Sequence, residues 1–280
     1  MFEPALNLRV PDGSSAFPRA DSDACCHGTM LQLSPFEKLR RKAASRISRH
    51  WALERRRLKS ARPMVSFTFD DVAESAYGLA APLIETTGAR ATFYVSTALL
   101  GKIGAHYRFL DANSVAELHR RGHEIGLHGH AHVSFAGLSE QSIVFDIRAN
   151  RDGLQSLCHG AEPENFAYPY GEVSWAAKRT LSRLTRSCRT VTPGVQSGVI
   201  DPSYLRSVEL ADARLAPATL DKYLDRAVER TGWLIFCLHD VSDSPSPYGC
   251  TPTLLGRALV GAAARKLEIV TVRQGLMRSE

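Results

Sequence analysis

No two of the six cysteines, at positions 25, 26, 158, 188, 237 and 250, stand at CxxC spacing. Scattered thiols of this kind are expected to be reduced and to pack as small hydrophobes. Long apolar runs are also missing. The longest, "WLIFCL", is far too short to span a bilayer. The first residues, "MFEPALNLRVPDGSSAFPRADSD", show no charged start followed by an apolar run. No secretory signal is therefore expected, and a cytoplasmic chain is. Internal repeats and low-complexity tracts are absent as well. What is present is ordinary: 44% hydrophobic and 23% charged residues over 280 positions allow one large α/β domain with an extension.

The net charge of +6 is unevenly spread. Residues 34–62, "SPFEKLRRKAASRISRHWALERRRLKSAR", hold eleven Lys or Arg against two Glu, which leaves the rest of the chain mildly acidic. Phe36, Leu39, Ala43, Ile47 and Trp51 recur at helical steps and form one apolar stripe. The expectation is a basic helical N-terminal extension that packs on the domain or lies peripherally on an anionic membrane surface. No nucleic-acid recognition module accompanies the charge, so nucleic acid is not expected as a partner. Residues 1–33, rich in Pro, Ser, Asp and Gly, are expected to be disordered, and 63–280 to form the domain.

From 64 onward, strand-like runs alternate with helical patterns. The strands read "MVSFTFD" (64–70), "ARATFYV" (89–95), "HEIGLH" (123–128), "NFAYP" (165–169), "SCRTVT" (187–192), "WLIFCLH" (233–239) and "LEIVTV" (267–272). Strand–helix alternation argues a parallel sheet, and about seven parallel strands suit a distorted (β/α) barrel. Ionisable residues collect at the C-terminal strand ends: Asp70 and Asp71, His128, and His239 with Asp240. In barrels that rim carries the active site. The paired acids of "SFTFDD" are either a turn facing water or a metal ligand beside a base. "GHEIGLHGHAH" adds His128 and His132 four apart, a spacing that grips one cation from a helical turn, with His130 joining them only if the chain is extended.

Together, "SFTFDD", "GHEIGLHGHAH", "FAYPYG" and "WLIFCLHD" resemble four ordered motifs of the polysaccharide deacetylase family, carbohydrate esterase family 4 or the NodB-homology domain. "FAYPYG" with "HD" is similar to the branch tied to bacterial exopolysaccharide synthesis. The resemblance covers roughly 64–272. It implies a distorted (β/α) barrel and a divalent metal, zinc, held by Asp71, His128 and His132. It further implies Asp70 as general base, His239 as general acid, and the backbone N–H of Tyr170 as an oxyanion donor. The substrate it implies is an N-acetylated oligo- or polysaccharide, or a lipid-linked precursor at the inner face of the membrane.

Three positions depart from the family pattern. Ala167 stands where the family commonly has an arginine that holds the base, Gly129 follows the first histidine ligand in place of Ser or Thr, and 187–210 holds no "DxxDW"-like motif. The partner of His239 is thus open, with Asp240 a candidate. Trp175, Tyr248 and the loop 242–252 are candidates for a sugar groove, whereas His106, His119, His123 and His159 read as surface or structural. Two rival readings remain: a related hydrolase of a small amide or formyl-sugar lipid, and a catalytically silent sugar-binding module.

Overall fold

The computed structural model describes Ser48 and residues 51–279. The segment 1–33 and most of the basic stretch, with its apolar stripe up to Ile47, lie outside them. The strands are β1 (Arg56–Arg57), β2 (Met64–Asp70), β3 (Thr92–Val95), β4 (Glu124–Leu127), β5 (Asn165–Ala167), β6 (Ser187–Arg189), β7 (Val195–Gln196), β8 (Val199–Ile200), β9 (Val208–Glu209), β10 (Trp233–Leu238) and β11 (Glu268–Ile269). The helices are α1 (Ala81–Glu85), α2 (Ala112–Arg120), α3 (Glu140–Leu157), α4 (Trp175–Leu184), α5 (Pro217–Glu229), α6 (Pro252–Ala264) and α7 (Val272–Leu276). Side-chain caps start several of them: Asp111, Ser139, Ser174 and Thr251 each accept a backbone N–H from the first turn.

A distorted barrel forms from six of the seven expected strands; the seventh, 267–272, gives only β11, which pairs with the start of β2 before the chain enters α7. One sheet runs β6-β5-β4-β3-β2-β10 with parallel pairing throughout. Closure comes from a segment the sequence pattern does not mark. Arg189 bridges Leu205 in parallel, with Leu205 N donating to Cys188 O at 2.8 Å and Thr190 N to Leu205 O at 2.8 Å. A few residues on, β9 pairs in parallel with β10 through Phe236↔Val208. The stretch 205–209 is therefore the seventh stave. Below it β7 runs antiparallel to the start of β10, which distorts the barrel.

Strand alternation divides the core in two. On β2, Phe67 and Phe69 face the helices, while Ser66, Thr68 and Asp70 alternate toward the axis. The outer layer joins these phenylalanines to Phe93, Ile125, Phe166, Leu234 and Phe236 under the helices. Inside lie Met64, Tyr94, Ala167, Leu205, Trp233 and Ile235, all buried. Tyr94 fills the axis only because its neighbour is Gly126, where an added Cβ would stand 2.6 Å from the tyrosine ring. Lower down, Glu124 accepts from Thr92 Oγ1 (2.9 Å), Asn165 Nδ2 (2.6 Å) and the backbone N–H of Arg273 (2.8 Å). The last contact docks α7 across that end.

The basic extension departs from the expected helix. Ser48 is helical, but from Trp51 the chain is extended, β1 pairing antiparallel with β8 and Leu58 N donating to Gly198 O at 2.8 Å. Tertiary partners override helical periodicity here. Lys178, fully buried on α4, donates to the carbonyls of Ser48 and Trp51 at 2.8 Å each and pairs with Asp201 at 2.6 Å. That clamp fixes the segment from Trp51 to the barrel. Trp51 stays 68% exposed and meets Trp175 edge-on, so Trp175 braces the extension and not a sugar groove.

Candidate active site

β2 ends on Asp70, aimed along the barrel axis, and the chain then reverses. Val72 N donates back to Asp70 O at 2.5 Å, and Asp71 and Val72 both take positive φ, 59° and 54°. Such a conformation is costly for a β-branched residue such as Val72. The reversal swings the Asp71 carboxylate to the rim beside its neighbour. His132 (φ 51°) and Tyr170 (φ 59°) are strained in the same way. Among the described residues, four of the six non-glycine residues with positive φ therefore meet in this one place. Backbone strain of this kind collects at functional sites.

Asp71 Oδ1 is 2.8 Å from His132 Nε2 and 3.3 Å from His128 Nε2. His128 Nδ1 lies 2.8 Å from the Ala167 carbonyl, which can only accept, so the proton is on Nδ1 and the Nε2 lone pair faces Asp71. The Tyr170 hydroxyl lies 3.2 Å from both His132 Nδ1 and His132 O. Its single proton goes to the carbonyl, so His132 Nδ1–H donates to the hydroxyl and again leaves Nε2 bare. With both imidazoles neutral, three acceptor atoms converge, and Asp71 Oδ1 is buried without a hydrogen-bond partner. This donor set fits a divalent cation, with the second partners of both imidazoles already fixed. Without a cation, burial raises the pKa of Asp71, but the imidazoles in their protonated form, His132 foremost, hold it well below the usual carboxylate range.

The loop bearing these histidines rests on α3. Asp146 accepts the N–H groups of His130 (2.6 Å) and Ala131 (3.0 Å), and Asn150 Oδ1 accepts that of His128 (3.1 Å). Both supports are buried within the apolar stripe Ile143, Ile147, Leu154. Polar residues at stripe positions were the available signal, and the sequence reading passed over them. Gly129 has its reason here as well: φ is +77°, and a Cβ would come within 2.9 Å of both Asp146 and Phe135. His130 turns away to Thr97 Oγ1 at 2.8 Å and takes no part in the ligand trio.

Asp70 has found another arginine. Arg189, fully buried, directs Nη2 at both Asp70 oxygens and lies over the Tyr94 ring, 5.3 Å from its centroid. In the ladder, Arg189 is the register partner of Ala167. The cation missing from position 167 is thus supplied one strand over. Burial tends to raise the pKa of Asp70, but Arg189, His128 and His239 outweigh it and hold the group below its ordinary value. Cys237 Sγ stands 3.4 Å from Asp70 Oδ2.

His239 follows β10, beside Asp70 across the ladder, since Leu238 pairs with Phe69. Its ring rests on Tyr248, centroids 5.7 Å apart. Asp240 is not its partner. That carboxylate accepts from Ser246 N (2.8 Å) and Ser246 Oγ (2.5 Å), which pins the loop carrying Tyr248. All six residues expected at the site line one cavity of about 290 Å³: Asp70, Asp71, His128, His132, Tyr170 and His239. Tyr107, Glu209, Arg214 and Tyr248 line it too, as does His106, which the sequence reading had set aside as surface or structural. His123 is structural, its Nδ1 accepting from Ala91 N at 3.0 Å and its Nε2 meeting Glu85 at 2.8 Å. A larger cleft of about 480 Å³, lined by Arg151, Glu164 and Arg186 among others, shares no residue with the site.

The family model for polysaccharide deacetylases matches residues 57–187. A chitin deacetylase of Arthroderma benhamiae is 25% identical over 123 residues, 43% of this chain and 31% of its own length. The chain thus spans about a third of that relative. A family 4 acetyl xylan esterase from Clostridium thermocellum, solved with a cobalt ion, shares the fold with a TM-score of 0.53 at 22% identity, covering 76% of this chain and 90% of its own. A carbohydrate esterase family 4 pseudoenzyme from Bacillus anthracis shares it with a TM-score of 0.54 at 12% identity, over 77% and 66% of the two chains. The matched segment carries three of the four motifs on which the resemblance rests, "SFTFDD", "GHEIGLHGHAH" and "FAYPYG".

Proposed function

We propose that the protein is a metal-dependent N-deacetylase acting on an N-acetylated sugar of a bacterial polysaccharide or of its lipid-linked precursor. The observation that carries this reading is the pairing of three proton-free acceptors with an ionised, arginine-held Asp70 in one cavity. A divalent cation such as zinc, held by Asp71, His128 and His132, would supply Lewis acidity toward the amide carbonyl and acidify water. Asp70 takes a proton from the attacking water. The water oxygen bonds to the acetyl carbon, and the backbone N–H of Tyr170 donates to the resulting oxyanion. His239 donates a proton to the nitrogen, the C–N bond breaks, and acetate and a free amine leave.

The missing arginine at 167 was the support for a catalytically silent module, and Arg189 weakens that ground. A cytoplasmic site of action and a peripheral contact of 34–62 with anionic membrane belong to the same proposal and rest on the charge of that stretch. Among the described residues, no helix is long and apolar enough to cross a membrane. Mass spectrometry of N-acetylated oligosaccharides after incubation with metal-loaded protein tests the reading. Loss of an acetyl group is expected. Unchanged masses, with release of acetate from small amides instead, would overturn the choice of substrate.

A further inference from the structure

Resting on the deacetylase reading, the cavity can be followed outward from its chemistry. The acetyl group must lie between Asp70 and the ligand trio, and its nitrogen must face His239. The sugar bonded to that nitrogen then extends past His239 toward Tyr248, whose ring contacts His239. Against the same ring stands Arg214, its guanidinium carbon 4.8 Å from the Tyr248 centroid. Arg214 follows β9 and folds back to Glu209, so the chain His239–Tyr248–Arg214–Glu209 forms one continuous wall.

The way Arg214 is held matters. Both Glu209 oxygens sit on a single nitrogen, Nη1, at 3.0 and 2.8 Å. The Nε and Nη2 donors have no hydrogen-bond partner among the described residues. The guanidinium plane is fixed by an aromatic ring and a carboxylate, and its recognition edge stays open. An arginine edge of this kind suits the paired oxygens of a carboxylate or a phosphate. Arg214 is half-exposed at the rim, whereas the buried arginine of the site, Arg189, directs its Nη2 at Asp70 below.

We propose that Arg214 forms a subsite for an anionic group, a carboxylate or a phosphate, carried by the sugar next to the acetamide that is hydrolysed. The preferred substrate is then an acidic glycan or a phosphosugar and not a neutral chitin-like chain.

The test compares, on metal-loaded protein, two N-acetylglucosamine disaccharides that differ only in carrying glucuronic acid or glucose, with an N-acetylglucosamine phosphate as a third arm. The acidic disaccharide or the phosphate should show kcat/KM about tenfold above the neutral one, chiefly through KM, the size of one charge-assisted hydrogen bond. Whichever acidic arm shows the gain identifies the source of the anion. In Arg214→Gln the ratio should fall to about one, and Arg214→Lys, which keeps the charge without the fork, should lie between. A wild-type ratio of one, or a ratio that survives Arg214→Gln, would overturn the subsite. If no arm is deacetylated, the deacetylase reading fails by itself. Calorimetry with glucuronate and inorganic phosphate then decides: binding lost in Arg214→Gln sustains the subsite, and no binding to wild type overturns it.

Discussion

At the lower end of the barrel Glu124 accepts three hydrogen bonds, from Thr92, Asn165 and the N–H of Arg273. Close by, Glu85 holds Arg121 with two hydrogen bonds, at 2.8 and 2.7 Å, and meets His123 at 2.8 Å. At the upper end Asp71 Oδ1 has no hydrogen-bond partner, two imidazole lone pairs face it, and four residues hold positive φ. Both ends are polar, and the same strands build both. Burial and charge alone would not tell scaffold from site. An orphaned carboxylate oxygen between two imidazoles, held in place by satisfied supports such as Asp146, Asn150 and Ala167 O, is what marks the functional end.

The comparison implies that substitutions at the upper end should cost chemistry and those at the lower end should cost stability. The largest effect is expected for His239→Ala, with a loss of about 10²–10⁴ in kcat, the usual range for a general acid. Metal content should be retained, and activated esters, whose leaving groups need no proton, should suffer much less. Equal losses on acetamide and activated ester would remove His239 from the role of acid.

Arg189→Met cuts across the comparison, since Arg189 serves the site but is buried like scaffold. It strands a buried carboxylate, so urea unfolding at neutral pH should show a loss of about 3–5 kcal/mol. Adding Ala167→Arg to Arg189→Ala should recover part of both stability and activity, because the two positions are register partners. At the lower end, Glu124→Ala leaves three donors without their acceptor, two of them on the buried Thr92 and Asn165, and should cost on the order of 3 kcal/mol. Bound metal should be unchanged, and a loss of metal would dissolve the distinction between the ends.

The smallest effect concerns pH. Glu85 has its pKa lowered to about 2, first by the Arg121 hydrogen bond and then, against some burial, by His123. A depressed acid contributes stability that is full above its unfolded pKa, near 4.5, and is lost as pH falls toward 2. Wild type should therefore lose more stability than Glu85→Gln across that window in chemical unfolding. Parallel curves would show that the cluster is not a stabilising one.

Much of this was legible in the sequence because strands and rim residues announce themselves. "SFTFDD" alternates so that Phe67 and Phe69 face the helices, and Asp70 must then face the axis. The six candidate residues converge because each ends or follows a strand. Arg189 was not legible, since its value depends on standing opposite Ala167 in a ladder that no local pattern reveals. The closing segment 205–209 escaped because a kinked stave of so few residues has no readable period. Asp146 and Asn150 were legible in principle, as polar residues in the buried stripe of α3. The extension misled because helical periodicity ran on to Trp51, past the point where Lys178 and β8 take over the backbone.

The central claim is that the upper end is incomplete without a cation. Its most direct test is thermal unfolding of wild type and Asp71→Asn, each with excess zinc and with a chelator, alongside Asp70→Asn. Asn tolerates positive φ and removes the ligand charge, so the substitution tests the site without forcing the turn. Zinc should raise the unfolding temperature of wild type and Asp70→Asn but leave Asp71→Asn unmoved. A zinc response in Asp71→Asn equal to that of wild type, or none in any of the three, would contradict the account.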